Sequence, residues 1–542
     1  MTFRPSSNRQ RVARSAVCVR SVLTAVLILA GFTRTEAAVV NAANVSLAAV
    51  QTAVNVATIG DTVLVPAGTA TWTNTLTIAK DIQIIGAGVG QTIITNYWPK
   101  PGGNDGIVWW TSTNSLCRFS GFTFEATSPY VNTFNIVGTS HAFRADHCAF
   151  DNTIGSAFVF SAGWVYGVVD HCLFNNVHVP FQVHHDLYGG YVNGNGSWAD
   201  PDNWGTTNAL YIEDCTFTAD PAVGYGIADG YGGARIVIRY CISTNVFQGT
   251  HGSDTSGASR GARTFEMYCN NFQWPTNQVP NSFPLCVQLR SGTAVIFSNT
   301  INGGWKTLLG MAEYRPNVLS AYTPWKSASG DNSWDSNSPT IYDSGTGTAT
   351  ATNLVDNTKS WTINQWVGYS FANTDQKWGT LVVSNNANTI YYPPFDLDYG
   401  VANIVYAFTN GDHYQIKKLL AVLDQPGFGQ GDLLTNDATG YRQAYNTVTG
   451  GQDWPHEVSD PVYVWGNNYT ALVGTGLIIS ENTTVSRNRD YVIGTPKPGY
   501  TPLAYPHPLV SSSGAGTGTG TGTGTNSVMP PSELQAHPPG TH

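Results

Sequence analysis

The side chains of this chain that are best suited to chemistry fall in one basic region. Charged residues are only 11% of the 542-residue sequence, yet residues 235–315 carry seven basic groups against three acidic ones. The basic residues are Arg235, Arg239, Arg260, Arg263, Arg290, Lys306 and Arg315. Guanidinium groups bind carboxylates in a bidentate manner. The region therefore predicts either a substrate site for an acidic polysaccharide, with Arg235, Arg239 and Arg290 as binding residues, or a set of internal ion pairs.

The segment GTHGSDTSGASRGARTFEMYCNNF (249–272) supplies catalytic candidates. Glu266 stands where equivalent segments of a repeat carry Ala, Val or Ile. An inward carboxylate must be paired, protonated or beside a cavity, so we expect Glu266 to be buried against Arg263 or Arg290. A local bulge that turned it outward would instead make it a general acid or base. His251 and Asp254 lie in a Gly-flanked loop of the same segment, where such folds carry function.

An acidic column is the second candidate constellation. Asp146, Asp170 and Glu213 occupy the same position in three repeat units, and period-2 alternation points them outward. Carboxylates on neighbouring strands lie about 5 Å apart, a spacing that suits a calcium site or a retaining glycosidase pair. The alternative is a solvated polar ladder. Calcium is the one cofactor that this pattern suggests.

The third candidate is an aromatic loop with the sequence HHDLYGGYVNGNGSWADPDNWGTTN (184–208). Tyr188, Trp198 and Trp204 present flat apolar rings that match the C–H surface of a pyranose. These residues are predicted to bind a sugar chain, unless the loop is packed by its own aromatics.

A repeat of 24 to 43 residues organises these candidates. Its phrases are FRADHCAF (143–150), YGVVDHCLF (166–174), LYIEDCTF (210–217), IVIRYCI (236–242), TFEMYCNNF (264–272), AVIFSNTI (294–301) and VYVWGNNY (462–469). Their alignment places Cys148, Cys172, Cys215, Cys241, Cys269, Asn299 and Asn467 in one column. A short β-type phrase at such a period predicts a solenoid, and the column reads as a buried ladder of small residues. The same alignment puts Arg235 and Arg263 on adjacent outer rungs.

The N-terminal region carries a second signature. Residues 45–94 read as a short amphipathic helix followed by strands, with GDTVLVPAGT and IQIIGAGVGQTII as successive coils. Here the chain resembles the pectate-lyase-like superfamily of right-handed parallel β-helices. The resemblance implies an all-β, right-handed parallel β-helix, a solenoid whose N-terminal end is closed by a helical cap. It leaves the activity open, because lyases, glycosidases and non-catalytic proteins share this fold.

The resemblance also implies roles for some residues. In the lyases of this superfamily an Arg or Lys removes the proton next to the uronate carboxylate, and calcium neutralises that carboxylate. By that analogy Arg260, Arg263 and Arg290 are candidates for the base. GTHG (249–252) is similar to the Gly-His-Gly segment of polygalacturonases, but their Gly-Asp-Asp segment is missing. This absence argues against that hydrolase assignment.

The sequence predicts five segments. They are a signal peptide (1–37), a parallel β-helix (38–338), a small antiparallel β insertion (339–416), the last coils and C-terminal cap (417–510) and a disordered Gly/Thr/Pro-rich tail (511–542). The basic start and apolar run SVLTAVLILAGF predict secretion and an extracellular or cell-surface location, and no later run is long enough for a transmembrane segment.

Charge and cysteine content narrow the partners. Without residues 1–37 the chain keeps 20 basic and 34 acidic residues, a net charge of −14, which disfavours nucleic acid as a partner. Seven cysteines then remain, an odd number that argues against a complete disulfide framework. The sequence does not indicate an oligomeric state.

Together these features predict a secreted carbohydrate-active enzyme. We expect it to cleave a uronate-containing polysaccharide, by β-elimination or by hydrolysis. The alternative is a non-catalytic extracellular protein that only binds glycan.

Overall fold

A computed structural model describes residues 37–512 of the chain, with gaps. The gaps are 97–104, 112–114, 127–131, 154, 189–193, 221–224, 251–260, 276–284, 306, 312–340, 351, 367–368, 377, 383, 393–406, 418–425, 431–457, 471–478, 482–486 and 489. Strands and helices are numbered below in chain order. No helix among the described residues is long and apolar enough to cross a lipid bilayer.

The largest sheet has twelve parallel strands, whose spatial order follows the chain. They are β1 (Val39–Asn41), β2 (Thr62–Leu64), β5 (Gln83–Ile85), β8 (Cys117–Ser120), β11 (Phe143–Asp146), β14 (Gly167–Asp170), β17 (Leu210–Glu213), β21 (Arg235–Arg239), β24 (Thr264–Tyr268), β27 (Thr293–Phe297), β40 (Val462–Trp465) and β43 (Tyr491–Ile493). Each strand of this sheet belongs to a different coil.

A second parallel sheet takes the next strand of each coil. Its ten strands are β3 (Gly68–Trp72), β6 (Thr92–Asn96), β9 (Thr123–Ala126), β12 (Ala149–Asp151), β15 (Leu173–Asn175), β18 (Thr216–Thr218), β22 (Ile242–Thr244), β25 (Asn271–Trp274), β28 (Thr300–Gly303) and β41 (Asn468–Thr470).

The third face of the coils is divided into a six-stranded and a five-stranded sheet. The first contains β4 (Leu76–Ile78), β7 (Asp105–Thr111), β10 (Asn132–Gly138), β13 (Phe158–Gly163), β16 (Phe181–His184) and β20 (Ala228–Tyr231). The second contains β19 (Tyr225–Gly226), β23 (Val246–Gly249), β26 (Leu285–Leu289), β29 (Thr307–Met311) and β42 (Ile479–Glu481). Because successive strands visit the sheets in turn, the fold is the predicted parallel β-helix.

Apolar side chains alternate along the strands and stack inside the coils. Phe124, Phe150, Phe174 and Phe217 form one such stack, with ring centroids 5.3, 5.1 and 4.9 Å apart and planes within 12° of parallel. The repeat makes this possible, because equivalent residues of neighbouring coils fall on adjacent rungs. The core is therefore a continuous apolar column along the solenoid axis.

The helical cap is present at the N-terminal end. Helix α1 (Leu47–Val56) begins after the N-cap residue Ser46 and buries Val50, Ala53 and Val54. It contacts β1, β2, β3 and β4, the first four strands of the solenoid, which confirms the cap that the sequence predicted.

The small antiparallel insertion is also confirmed. One of its sheets contains β30 (Asp343–Thr346), β33 (Ser370–Asn373), β34 (Trp378–Leu381) and β37 (His413–Lys417), and the other contains β31 (Thr348–Ala349), β32 (Asn353–Val355), β35 (Ser384–Asn385) and β36 (Thr389–Tyr391). Leu354, Phe371 and Ile390 are fully buried in its own apolar cluster. A short antiparallel pair, β38 (Phe428–Gln430) with β39 (Val458–Ser459), precedes the return to the solenoid.

The predicted ladder column needs one correction. Parallel pairing sets Ile238 beside Met267, so the column continues from Cys241 to Asn270 and not to Cys269. The Asn270 amide receives the Cys241 N–H at 2.9 Å and donates to Asn299, which donates in turn to Asn467. Cys269 instead occupies the corner in a left-handed conformation (φ 58°), as Tyr240 and Ser298 do in the adjacent coils.

A C-terminal segment, residues 494–512, lies on the outer face of the twelve-stranded sheet. Leu503, Leu509 and Val510 pack against an outward apolar cluster that includes Val168 and Tyr211. The segment contains helix α3 (Pro508–Ser512), which contacts β14. It therefore covers part of the face on which the sequence predicted a basic patch.

Candidate functional site

The outward acidic column exists, but arginines neutralise it. Arg118 and Arg144 make bidentate pairs with Asp146 and Asp170, at distances of 2.6–2.8 Å. Burial alone would raise the pKa of Asp146, but hydrogen bonds from Arg118 and His147 hold it well below its usual value. These carboxylates complete structural ion pairs.

Arg239 and Glu213 continue the same pattern. Arg239 Nε donates to Glu213 at 2.7 Å, and its Nη1 donates to the Leu503 carbonyl at 2.7 Å. The other Glu213 oxygen accepts the His507 N–H at 2.9 Å. In the part of the chain that the structure describes, no group of three or more His, Cys, Asp or Glu residues could hold a metal. The geometry thus contradicts a calcium site at Asp146, Asp170 and Glu213, and it places Arg239 in the framework.

Arg235 and Arg263 hold a loop and do not form an open site. Arg235 is fully buried and donates to the carbonyls of Ser197, Pro201 and Asp202 at 2.7–2.8 Å. Arg263 is also fully buried and pairs with Asp202 at 2.7 Å. Arg235 and Arg263 lie on adjacent rungs as predicted, but they do not share a column, because Arg235 pairs with Thr264. Both guanidinium groups therefore fix the loop after β16 and are withdrawn from substrate.

Glu266 points outward, contrary to prediction. It pairs with Val237, an outward residue, because the strand is shifted by one position from the predicted register. Its partners are the hydroxyl of Tyr500 at 2.6 Å and the N–H of Gly205 at 3.1 Å, not Arg263 or Arg290. Burial raises its pKa above the ordinary value. Glu266 is 4% exposed and engaged by these partners, so it anchors the C-terminal segment.

The aromatic loop is packed largely by its own side chains and their neighbours. Trp198, in helix α2 (Asn195–Ala199), is fully buried and donates to the Gly261 carbonyl at 2.8 Å. Trp204 lies edge-on to Tyr500, with centroids 6.1 Å apart. Tyr188 is half-buried. Trp198 is thus unavailable to a sugar, which contradicts that prediction.

Three predicted residues cannot be placed. His251, Asp254 and Arg260 lie outside the described residues. Their assignment as catalytic residues stays a prediction.

A polar cluster that the sequence did not single out lies at the ends of β16 and β20. These strands pair in parallel, with Gln182 beside Asp229 and His184 beside Tyr231. Their neighbours Val183 and Gly230 point into the core, so the four polar residues share the outer face. Asp186 follows β16 and packs against Gly232, where φ is +62° and a Cβ would clash with its carboxylate. We call His184, Asp186, Asp229 and Tyr231 the polar cluster.

The electrostatics of the polar cluster are unusual. Burial raises the pKa of Asp229 to about 7, and electrostatic interactions with Arg290 and, when its imidazole is protonated, with His184 offset only part of this effect. The pKa of Tyr231 is raised by burial and by the negative charges of Asp229 and Asp186. Asp229 therefore exchanges a proton near neutral pH, as acid–base catalysis requires.

His184 has one nitrogen engaged and one unused. Its Nδ1 lies 3.1 Å from Asp186 Oδ2, and its ring meets that of Tyr231 edge-on with centroids 3.7 Å apart. Among the described residues, Nε2 is buried and finds no hydrogen-bond partner. If Nδ1 donates to Asp186, Nε2 keeps a free lone pair, the form a general base needs.

Arg290 is the predicted binding residue that the structure brings to this cluster. It follows β26, and its Nε donates to the Thr250 carbonyl at 2.9 Å. Its charge acts on Asp229. The sequence offered one signal for the cluster, the HHD run at 184–186, but the aromatic residues after it dominated the interpretation.

The fold defines this chain as a parallel β-helix protein, and comparisons with known proteins add no family. No protein-family model matches the chain, and no curated protein matches it. Among solved structures, it is similar to an alginate lyase from Paenibacillus sp. str. FPU-7 (13% identity, TM-score 0.33), a match that covers 50% of this chain and 90% of that one.

Two further solved structures have similar scores. ORF18 of Geobacillus virus E2 is 12% identical, with a TM-score of 0.28 and coverage of 49% of this chain and 57% of its own. A family GH82 iota-carrageenase from A. fortis is 11% identical, with a TM-score of 0.28 and coverage of 51% and 55%. At these identities and scores, none of the three assigns an activity or substrate to this chain.

Proposed function

We propose that this protein is a secreted carbohydrate-active enzyme of the pectate-lyase-like superfamily that cleaves a uronate-containing polysaccharide by β-elimination. The observation that carries the proposal is the polar cluster, in which Asp186 holds His184 beside Tyr231 while Asp229 titrates near pH 7. A base, an acid and a group able to neutralise a carboxylate meet there on one sheet face.

The proposed reaction uses His184 as the base and Tyr231 as the acid. His184 Nε2 removes the proton on the carbon next to the uronate carboxylate. The electron pair of that C–H bond forms the new double bond, and the bond to the glycosidic oxygen breaks. Tyr231, kept as the neutral phenol by its raised pKa, protonates the departing oxygen. The proton taken up by His184 then returns to the Tyr231 phenolate, and the enzyme is restored.

Neutralisation of the substrate carboxylate makes its neighbouring proton acidic. Asp229 keeps its proton up to about pH 7 and so can donate a hydrogen bond to a carboxylate. The positive charge of Arg290, which acts on Asp229, adds to this neutralisation. This arrangement replaces the extended basic patch as the support for an acidic substrate, because Arg235, Arg239 and Arg263 are buried in structural contacts.

Hydrolysis is the second candidate, and a specific observation favours it. Asp229 and Asp186 both act electrostatically on Tyr231, so the cluster contains two carboxyl groups. A carboxyl group with a pKa near 7 suits a general acid, and a second carboxylate could serve as base or nucleophile. In that case Asp229 would protonate the leaving oxygen directly.

The decisive experiment incubates the mature protein with polygalacturonate, alginate and neutral glycans, with and without calcium. We expect ultraviolet absorbance from unsaturated uronates to rise together with new reducing ends. Tyr231→Phe and His184→Gln should each lower this rate by about 10²–10⁴-fold. Tyr391→Phe, at an exposed tyrosine of the insertion, should leave it unchanged.

Two other outcomes of this experiment would indicate a different function. Reducing ends without ultraviolet absorbance would replace β-elimination with hydrolysis. Glycan binding without any cleavage would make the protein a binding module and refute the enzyme proposal.

A further inference from the structure

The six-stranded sheet carries an exposed tryptophan at some distance from the polar cluster. Trp110, in β7, has 55% of its surface exposed, whereas the neighbouring Trp109 points inward and is fully buried. An exposed indole presents a large, flat, apolar surface to solvent, and a ligand with an apolar face can stack on it. Among sugars, a pyranose ring presents such a face through its axial C–H groups.

Strand register connects Trp110 to the polar cluster. Trp110 pairs with Val137 and Val137 with Ser161, and His184 pairs with Tyr231. The pairing of β13 with β16 puts Ser161 and His184 on successive rungs. Trp110 and Tyr231 therefore lie in one outward column, four rungs or about 19 Å apart at the usual strand spacing.

The surface between them suits a sugar chain. A parallel outward column runs through Asn135, Val159 and Gln182 to Asp229. Asn135 and Gln182 offer amide groups to sugar hydroxyls, and Ser161, which donates to Asn135 at 2.8 Å, adds a hydroxyl. Val137 and Val159 lie between them but are largely covered, with 3% and 9% of their surface exposed, so Trp110 and the polar groups would make the contacts. All these groups are neutral, so charge is confined to the polar cluster end of this strip.

We propose that Trp110 is a remote sugar-binding subsite. The glycan lies along the solenoid axis, and one of its pyranose rings stacks on Trp110 about four units from the bond that is cleaved. The rise per unit of an extended polysaccharide is close to the spacing between rungs, so successive sugars meet successive strands. This subsite rests on the proposed function, because the polar cluster supplies the other end of the track.

The test uses oligogalacturonates, oligomannuronates and cello-oligosaccharides of two to eight units. In Trp110→Ala, kcat/KM for oligomers of six or more units should fall about tenfold, while that for dimers and trimers should not change. Trp110→Tyr should restore most of the loss, since it keeps a flat ring. Tyr391→Ala, an exposed aromatic of the insertion, is the matched control.

Two results would overturn the subsite. One is an unchanged kcat/KM for long oligomers in Trp110→Ala, and the other is an equal loss for short and long ones. Binding of the same oligomers in a Tyr231→Phe background separates the two proposals. Length-dependent binding that Trp110→Ala removes would support the subsite even if the wild-type protein cleaves nothing. Absence of binding would refute it.

Discussion

The protonation state of Asp229 determines both the type of reaction that we propose and its pH dependence. A protonated Asp229 can neutralise a substrate carboxylate by donating a hydrogen bond, or it can transfer its proton to a leaving oxygen. An asparagine at the same position still donates a hydrogen bond but has no proton to transfer. Substitution therefore separates the two reactions.

For β-elimination we expect Asp229→Asn to retain most activity. The wild-type rate should fall as pH rises through about 7, because Asp229 loses its proton there, and the variant should lack this fall. Initial rates of wild type and variant, measured from pH 5 to 9, test both the retained activity and the lost pH dependence. A loss of about 10²–10⁴-fold at every pH would show instead that Asp229 is the general acid of a hydrolase.

Stability gives an independent check on the pKa of Asp229. Because this pKa is higher in the folded protein than its ordinary value, the bound proton stabilises the fold fully below about pH 4. That contribution is lost as pH rises through about 7. Asp229→Asn should thus unfold less readily than wild type at pH 8 and show a smaller advantage at pH 5. An equal difference in unfolding free energy between wild type and Asp229→Asn at pH 5 and pH 8 would contradict the assigned pKa.

At the scale of the strand, the turns after β24, β27 and β40 are held by asparagine side chains that bond to the backbone of the neighbouring coil. Asn299 receives the N–H of Asn270 at 3.0 Å and donates to the Met267 carbonyl at 3.0 Å. A cysteine at the equivalent position of earlier coils, such as Cys172, makes only weak sulfur contacts. The asparagines therefore bind neighbouring coils more strongly than the cysteines do.

Asn299→Ala should lower the free energy of unfolding by about 2–4 kcal/mol, because it leaves buried backbone groups without partners. Cys172→Ala should cost only about 1–2 kcal/mol for the small cavity. Urea denaturation measures both, and Asn74→Ala, at an exposed turn, is the control. Equal losses for Asn299 and Cys172 would argue against the amide ladder.

The same asparagines explain what the sequence could and could not predict. The repeat gave the solenoid, its cap and its inward residues, because period-2 alternation over many coils is a strong signal. The run Cys269-Asn270-Asn271 offered two registers, and matching cysteine with cysteine selected the wrong one. Since one position exchanges the faces of a strand, this single shift misplaced Glu266.

The polar cluster could not be predicted from the sequence, for a different reason. Its residues come from β20 and from β16 and the loop that follows it. The two strands are adjacent in space, although helix α2 and strands β17, β18 and β19 separate them in the chain. Neither carries a repeat phrase that would have revealed the pairing. Likewise, only the folded structure shows that Arg235 and Arg263 serve the loop after β16.

For the whole molecule, the C-terminal segment decides which face of the solenoid can act. It covers outward apolar residues of the large sheet and accepts hydrogen bonds from the buried guanidinium groups of Arg144 and Arg239. Tyr500 and His507 fix it to Glu266 and Glu213. With that face occupied, the six-stranded sheet is the face to which we assign the function.

Deletion of residues 495–542 should therefore destabilise the solenoid without touching the polar cluster. We expect a loss of about 3–6 kcal/mol, from newly exposed apolar surface and from the broken hydrogen bonds of Arg239 and Glu213. Thermal unfolding measures this loss, and deletion of residues 513–542 alone is the control that keeps every described contact of the segment. Below the melting transition, kcat/KM should be unchanged. New activity or glycan binding in the longer deletion would show instead that the segment shields a functional face, and would move the site to the large sheet.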